Sequence, residues 1–312
     1  MTSLLLSPFL ESIRYSFLAV IVLGTIIRLV GITTPLHGDE LATISIWANM
    51  PLLLRTPVLV CGIESIALAF LTTHRITRNV QAGLAVSLLI AINGGHIFYS
   101  THARGYMLIL LICQYIFHRL VVWIDESKIS SRSTKEFFTF KELSIFAGLM
   151  LAGTWTIPTF VFFEGSLGLF FLISFLQSKR DKWFDIPSLY LKNFTVILIC
   201  LLGLFAQYFI FISPEMLAMG ISNAAQSKLS FFPTAILKEW IQPIDTGEIF
   251  VVSFLLIGLF TLFHFNRTTF ILIVCLLVFP PTIIYIACLL ELVTAVPHAR
   301  VFFYLQPILY CV

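Results

Sequence analysis

Charge is what this sequence has least of. Lys, Arg, Asp and Glu make up 11% of its 312 residues, against 59% hydrophobic residues, with a mean hydropathy of +0.98. A soluble domain of this length needs a far more charged surface, so a water-soluble globular fold is excluded. Neither GxGxxG nor GxxxxGK[ST] occurs, which removes the two commonest nucleotide-phosphate fingerprints. No CxxC spacing occurs either. The six cysteines, Cys61, Cys113, Cys200, Cys275, Cys288 and Cys311, are scattered through apolar segments. They read as small apolar helix residues rather than a disulfide framework or a zinc cluster. No long polar stretch marks a separate soluble domain and no repeat recurs, so residues 1–312 read as one domain. The net charge of +3 does not point to nucleic acid, because the basic residues flank apolar runs.

What is present is a series of apolar runs. A bilayer-spanning helix needs roughly 20 such residues. Candidate spans are 13–32, 57–73, 80–98, 105–124, 143–157, 158–177, 193–212, 248–265, 268–290 and a final piece from 301. The expectation is therefore an all-α polytopic bundle of about nine or ten spans. The first run is too long for a signal-peptide core and no small-residue cleavage site follows it, so it reads as a retained helix. The stretch 143–177 is too long for one helix and short for two. Pro158, after Gly-Thr-Trp-Thr, predicts a turn and hence a short hairpin. The run from 301 stops at Val312, after too few residues for a comfortable crossing, which reads as a partial last helix or a truncated product. With a cytoplasmic N-terminus, thirteen of the nineteen Lys and Arg residues fall on inside segments, as the positive-inside rule requires.

The scarce polar residues then form two clusters at the outer ends of spans. One is His37-Gly38-Asp39-Glu40, followed by Leu41, Ile44, Trp47 and Ala48 at helical spacing, a pattern for a short interfacial helix in the first outer loop. The other is Tyr99-Ser100-Thr101-His102-Ala103-Arg104-Gly105-Tyr106. An acid pair and an arginine on one side of a bilayer suit a surface reaction, with an acid to move a proton and a cation to hold an anion. A long outer loop, 213–247, is placed to cover such a site.

These residues resemble a known family. Gly24-Thr-Ile-Ile-Arg28-Leu29 followed by Gly38-Asp39-Glu40 is similar to the first helix and first outer loop of the integral-membrane glycosyltransferases of the C superfamily, the GT-C fold. The protein O-mannosyltransferase and aminoarabinose-transferase branch is the nearest type. Phe98 to Tyr106 resembles that family's stretch of aromatic, Ser, acid, Ala, Arg, any residue, Tyr. His298-Ala299-Arg300-Val-Phe-Phe-Tyr304-Leu-Gln-Pro307 is similar to its later Arg-aromatic…Pro segment. His102 stands where the family has an acid, and the chain is short for the family. The resemblance implies transfer of a sugar from a polyprenyl-phosphate donor to a lipid, glycan or protein acceptor. The site would lie on the extracytoplasmic face of a membrane, such as a bacterial inner membrane.

On that resemblance Asp39 is the candidate general base, with Glu40 beside it, for deprotonating an acceptor hydroxyl. The same position also suits an N-cap of the interfacial helix. Arg104 is the candidate for holding the lipid phosphate through paired hydrogen bonds, the alternative being a side chain snorkelling at a helix end. His102 suits a bond to the phosphate or, with Asp39, a divalent metal; no convincing ligand set accompanies it. Tyr106 suits an orienting role or an interfacial aromatic. Arg28 and Arg300 suit added positive potential or snorkelling. Glu64 and Glu164 lie inside apolar runs, where ionisable residues are costly; they are the features that favour a lipid-linked sugar transporter or flippase. An inactive relative acting as a membrane scaffold is the third reading.

Overall fold

The computed structural model describes residues 2–32, 51–102, 105–129, 140–157, 160–181, 248–289, 303 and 305–311. Every element among them is helical. They are α1 (Thr2–Ile32), α2 (Pro51–Thr77), α3 (Val80–Ile92), α4 (Gly94–Thr101), α5 (Tyr106–Ile129), α6 (Phe140–Thr156), α7 (Val161–Asp181), α8 (Glu248–Phe265), α9 (Arg267–Leu289) and α10 (Gln306–Tyr310). The apolar runs thus become helices at the expected places. The run 193–212, the interfacial stretch 41–48 and the loop 213–247 lie outside the described residues. Among the described residues three helices are long and apolar enough to cross a membrane, at Ser12–Val30, Arg55–Thr77 and Tyr106–Glu126; counting the bent pair α3 and α4 makes four. This is the composition of a membrane protein.

Helix ends follow from local chemistry. α2 closes with Arg78 in the left-handed region, φ 55°. Its N–H bonds back to the His74 carbonyl at 2.9 Å, a helix-ending geometry. Asn79 then caps α3, its side-chain oxygen accepting from the N–H of Gln81 at 2.8 Å and of Ala82 at 3.4 Å. The stretch 143–177 does divide in two, with α6 ending at Thr156 and α7 starting at Val161. Across that break the Thr154 hydroxyl donates to Glu164 Oε1 at 2.8 Å, so this intramembrane carboxyl has a partner inside the bundle.

Two boundaries differ from expectation. The second helix begins at Pro51 and its apolar span at Arg55, not at 57, because the helix runs through Pro57; Arg55 therefore sits on a helix rather than in a loop. The third span is not one helix over 80–98. It breaks at Asn93 and bends by 59° into α4. Asn-Gly-Gly at 93–95 is the cause: Asn93 takes extended backbone angles, φ −65° and ψ 123°, and the two glycines are poor helix formers.

Of the three long spans described, α5 is the most buried, at 67% of its apolar stretch, and α1 the least, at 11%. α2 packs on α1, α3, α4 and α5, while α9 packs on α7 and α8. The rings of Phe17 and Phe70 meet at 4.6 Å and Gly24, further along α1, lies against Ile66, earlier on α2, so the two run antiparallel. One end of the bundle is ionic. There Asp125 on α5 pairs with Arg75 at 2.7 Å and with Arg78, and Arg119 pairs with Glu142 at 2.5 Å. These groups are partly exposed, and such pairs contribute little. Asp125→Asn is expected to cost about 1 kcal/mol or less, seen as a small melting shift that shrinks further in high salt.

Candidate functional site

The opposite end gathers the last turn of α1, the first half of α2, the α3–α4 break and the start of α5. Its centre is Arg28, which is fully buried, as is Arg55 on α2. Arg28 was open to a snorkelling reading; its burial overturns that one. Nη1 donates to the Gly24 carbonyl at 2.9 Å and the Ala91 carbonyl at 3.1 Å. Nη2 donates to the Ile90 carbonyl at 3.3 Å and to His96 Nδ1 at 2.7 Å. Ile90 and Ala91 are in the last turn of α3, whose carbonyls the helix break leaves without helical N–H partners. A cation at a helix C-terminus is also electrostatically favourable. Arg28 therefore caps the broken helix from a neighbouring one. On the other side of the break, Asn93 Oδ1 accepts from the His96 N–H at 2.8 Å. Broken backbone within a membrane is tolerated when its polar groups are occupied by protein, and these two side chains supply that.

The proton positions follow from the partners. A guanidinium only donates, so His96 Nδ1 accepts and the imidazole is neutral. Its Nε2–H then donates to Ser65 Oγ at 2.7 Å, and the Ser65 hydroxyl donates to the Gly62 carbonyl at 3.0 Å. This direction excludes nucleophilic chemistry at Ser65, because the imidazole nitrogen facing it already carries a proton and is no base. The relay is a buried scaffold carrying a fixed positive charge.

Against it stands an aromatic row. Tyr106 lies 5.1 Å from Tyr99, Tyr99 4.4 Å from Phe303, and Phe303 6.3 Å from His96, between ring centroids. Beyond it Asn93 Nδ2 donates to Tyr310 Oη at 3.1 Å, and Gln306 Nε2 donates to the same oxygen at 3.3 Å. The segment 305–309 is buried throughout. Stretches near residues 24–28, 93–106 and 303–310 thus meet at one end of the bundle.

Of the residues singled out from sequence, His102 is buried at 6% exposure. Its ring stacks on Phe98 at 4.1 Å and Nδ1–H donates to the Phe98 carbonyl at 2.7 Å. Tyr106 opens α5, half-buried in the aromatic row. Asp39, Glu40, Arg104 and Arg300 lie outside the described residues. Asp39 and Glu40 belong to the chain joining α1 to α2, Arg104 to that joining α4 to α5, and Arg300 precedes Phe303 by three residues. Among the described residues no group of three His, Cys, Asp or Glu is gathered to hold a metal ion. Cys61, Cys113, Cys275 and Cys311 are free thiols. Sequence reading missed Ser65, Arg55 and His96. Only the Asn-Gly-Gly-His string at the break was a usable signal for His96.

Comparison with family models, with curated proteins and with solved structures finds no match to this chain.

Proposed function

We propose that this chain is a membrane glycosyltransferase of the GT-C type. In this reading it is a polytopic bundle of nine or ten spans that moves one sugar from a polyprenyl monophosphate to a hydroxyl acceptor. The acceptor is a lipid, glycan or protein, and transfer takes place on the extracytoplasmic face of a bacterial inner membrane. One observation carries the reading. The described parts of the three stretches that resemble the family, around Arg28, Phe98–Tyr106 and Phe303–Pro307, converge on one end of the bundle. The chain segments holding Asp39, Glu40 and Arg104 join helices at that same end.

The chemistry is a displacement at the anomeric carbon. The acceptor oxygen forms a bond to that carbon while its proton passes to Asp39, with Glu40 as the neighbouring carboxylate. The carbon–oxygen bond to the phosphate breaks, and polyprenyl phosphate leaves with the electron pair. Arg104 holds the phosphate, supported by Arg300, His102 and the Tyr106 hydroxyl. Attack opposite the leaving group inverts the anomeric centre. A divalent metal, if used, would draw on Asp39 and His102.

Besides Glu64 and Glu164, the flippase reading is favoured by the broken helix at Asn93, since broken helices form substrate sites in many transporters. Here, however, Arg28 and Asn93 occupy the groups that the break frees. Glu64 is exposed on α2, away from the Ser65 face.

The test is transfer from a mixed pool of radiolabelled polyprenyl-phosphate sugars to membrane extract, with purified protein and with and without chelator. Asp39→Asn should lower transfer by about 10²- to 10⁴-fold and Arg104→Ala by about 10²-fold or more. Transfer surviving Asp39→Asn removes the proposed base. A wild type inactive with every donor overturns the reading in favour of a transporter or an inactive scaffold.

A further inference from the structure

α2 buries one side against α1, α3, α4 and α5 through Leu59, Gly62, Ser65, Ile66, Ala69 and Thr72. Its other side is an exposed stripe at helical spacing, Pro57, Val60, Glu64 and Leu71. Val60 and Leu71 are 45% and 48% exposed, the ordinary state of lipid-facing residues. Glu64 is not ordinary there. It lies nine residues into a 23-residue span that starts at Arg55, about 13 Å along the axis at 1.5 Å per residue. That depth is hydrocarbon, where a carboxyl has no water to bond and a partner is expected.

Among the described residues no cation pairs with it. Arg28, beside Gly62, is the basic residue of the described spans near this level, and Arg55 lies at the start of the span; both are buried inside the bundle. All four terminal N–H groups of Arg28 are taken by Gly24, Ala91, Ile90 and His96. The apolar run 193–212 contains no Lys, Arg or His. A second copy facing the same stripe would bring a second carboxyl, not a counter-charge.

We infer that the Pro57–Val60–Glu64–Leu71 face of α2 is an intramembrane docking surface for a helix of a different protein carrying a basic side chain near mid-span. The apolar residues supply the packing and the Glu64 carboxyl fixes depth and partner choice through a charge-assisted bond.

The test uses the full chain, donor-labelled and reconstituted in phosphatidylcholine vesicles, with acceptor-labelled synthetic 21-residue leucine helices as probes. One probe carries a single central lysine, one a central glutamate, and one only leucine. Energy transfer should report the lysine helix binding roughly three- to tenfold more tightly than the all-leucine helix. The glutamate helix should gain nothing. In Glu64→Leu the lysine preference should vanish while the melting temperature holds, because the side chain faces outward. A photo-crosslinker at Val60→Cys should capture the lysine helix, and one at exposed Leu88→Cys on α3 should not. Equal binding of lysine and leucine probes, or a preference surviving Glu64→Leu, overturns the inference. So does crosslinking from Val60→Cys into the same chain, which makes the occupant its own segment. Self-association lost in Glu64→Leu makes it a second copy and overturns it equally.

Discussion

Arg28→Met is expected to lower the apparent melting temperature of the solubilised protein by about 10 °C. The side chains have similar volume, so the loss is chiefly of hydrogen bonds and charge. Four acceptors lose a donor at once: His96 Nδ1 and the carbonyls of Gly24, Ile90 and Ala91. The Gly24 carbonyl keeps its helical environment, but Ile90 and Ala91 belong to the turn that the break at Asn93 leaves open. Breaking a buried charged network from one side costs about 3–5 kcal/mol, and about 2–4 °C accompanies each kcal/mol in a chain of this order of size. Arg28→Lys separates charge from geometry. It keeps the cation near the end of α3 but lacks the planar fork that reaches three carbonyls and an imidazole at once, so it should recover only part of the loss. A melting temperature unchanged in Arg28→Met would show that α3 ends at Asn93 without help from α1. Under the proposed activity, the same variant should weaken sugar transfer if α4 positions the His102–Tyr106 stretch, and Asp39→Asn, which leaves the Arg28 network intact, is its contrast.

The helices were legible because hydrophobicity is a local property summed along the chain, and a lipid solvent demands that it be continuous. That is why the division of 143–177 could be read from Pro158 and its neighbours, and why the flanking charges marked the ionic end. The break at Asn93 was written in the sequence as Asn-Gly-Gly, yet hydropathy alone runs straight through it, since Ile92, Ile97 and Phe98 keep the window apolar. The buried relay was not legible at all. An arginine four residues from the end of an apolar run looks the same whether it snorkels or turns inward. The difference lies in acceptors 62 to 68 residues away in the chain. His96 and Ser65 gain their roles only from that tertiary contact. The acid pair and Arg104, by contrast, stood out on sequence simply because charge is so scarce.

Gly62 is the position where the smallest change should have an outsized effect. It is a point of close approach between α2 and α4. A Cβ there would fall 2.5 Å from Ser100 Cβ and 3.2 Å from Arg28 Nε, and the first of these distances is impossible without movement. Small residues let membrane helices approach closely, and Ser100 is itself fully buried, so it has no free space to retreat into. Gly62→Ala is expected to cost about 1–3 kcal/mol by overpacking, despite alanine being the better helix former. Gly62→Val should fail to give folded protein. The mechanism makes a sharper demand on the double variant. If the clash is with Ser100, then Gly62→Ala combined with Ser100→Gly should restore most of the loss, because the added methyl takes the room that the serine side chain leaves. Ser100→Gly alone should be mildly destabilising, and the two changes should be non-additive by more than about 1 kcal/mol. Strict additivity would place the strain elsewhere, on the Arg28 guanidinium, and would move the tightest contact of this end from the α2–α4 crossing to the α1–α2 crossing.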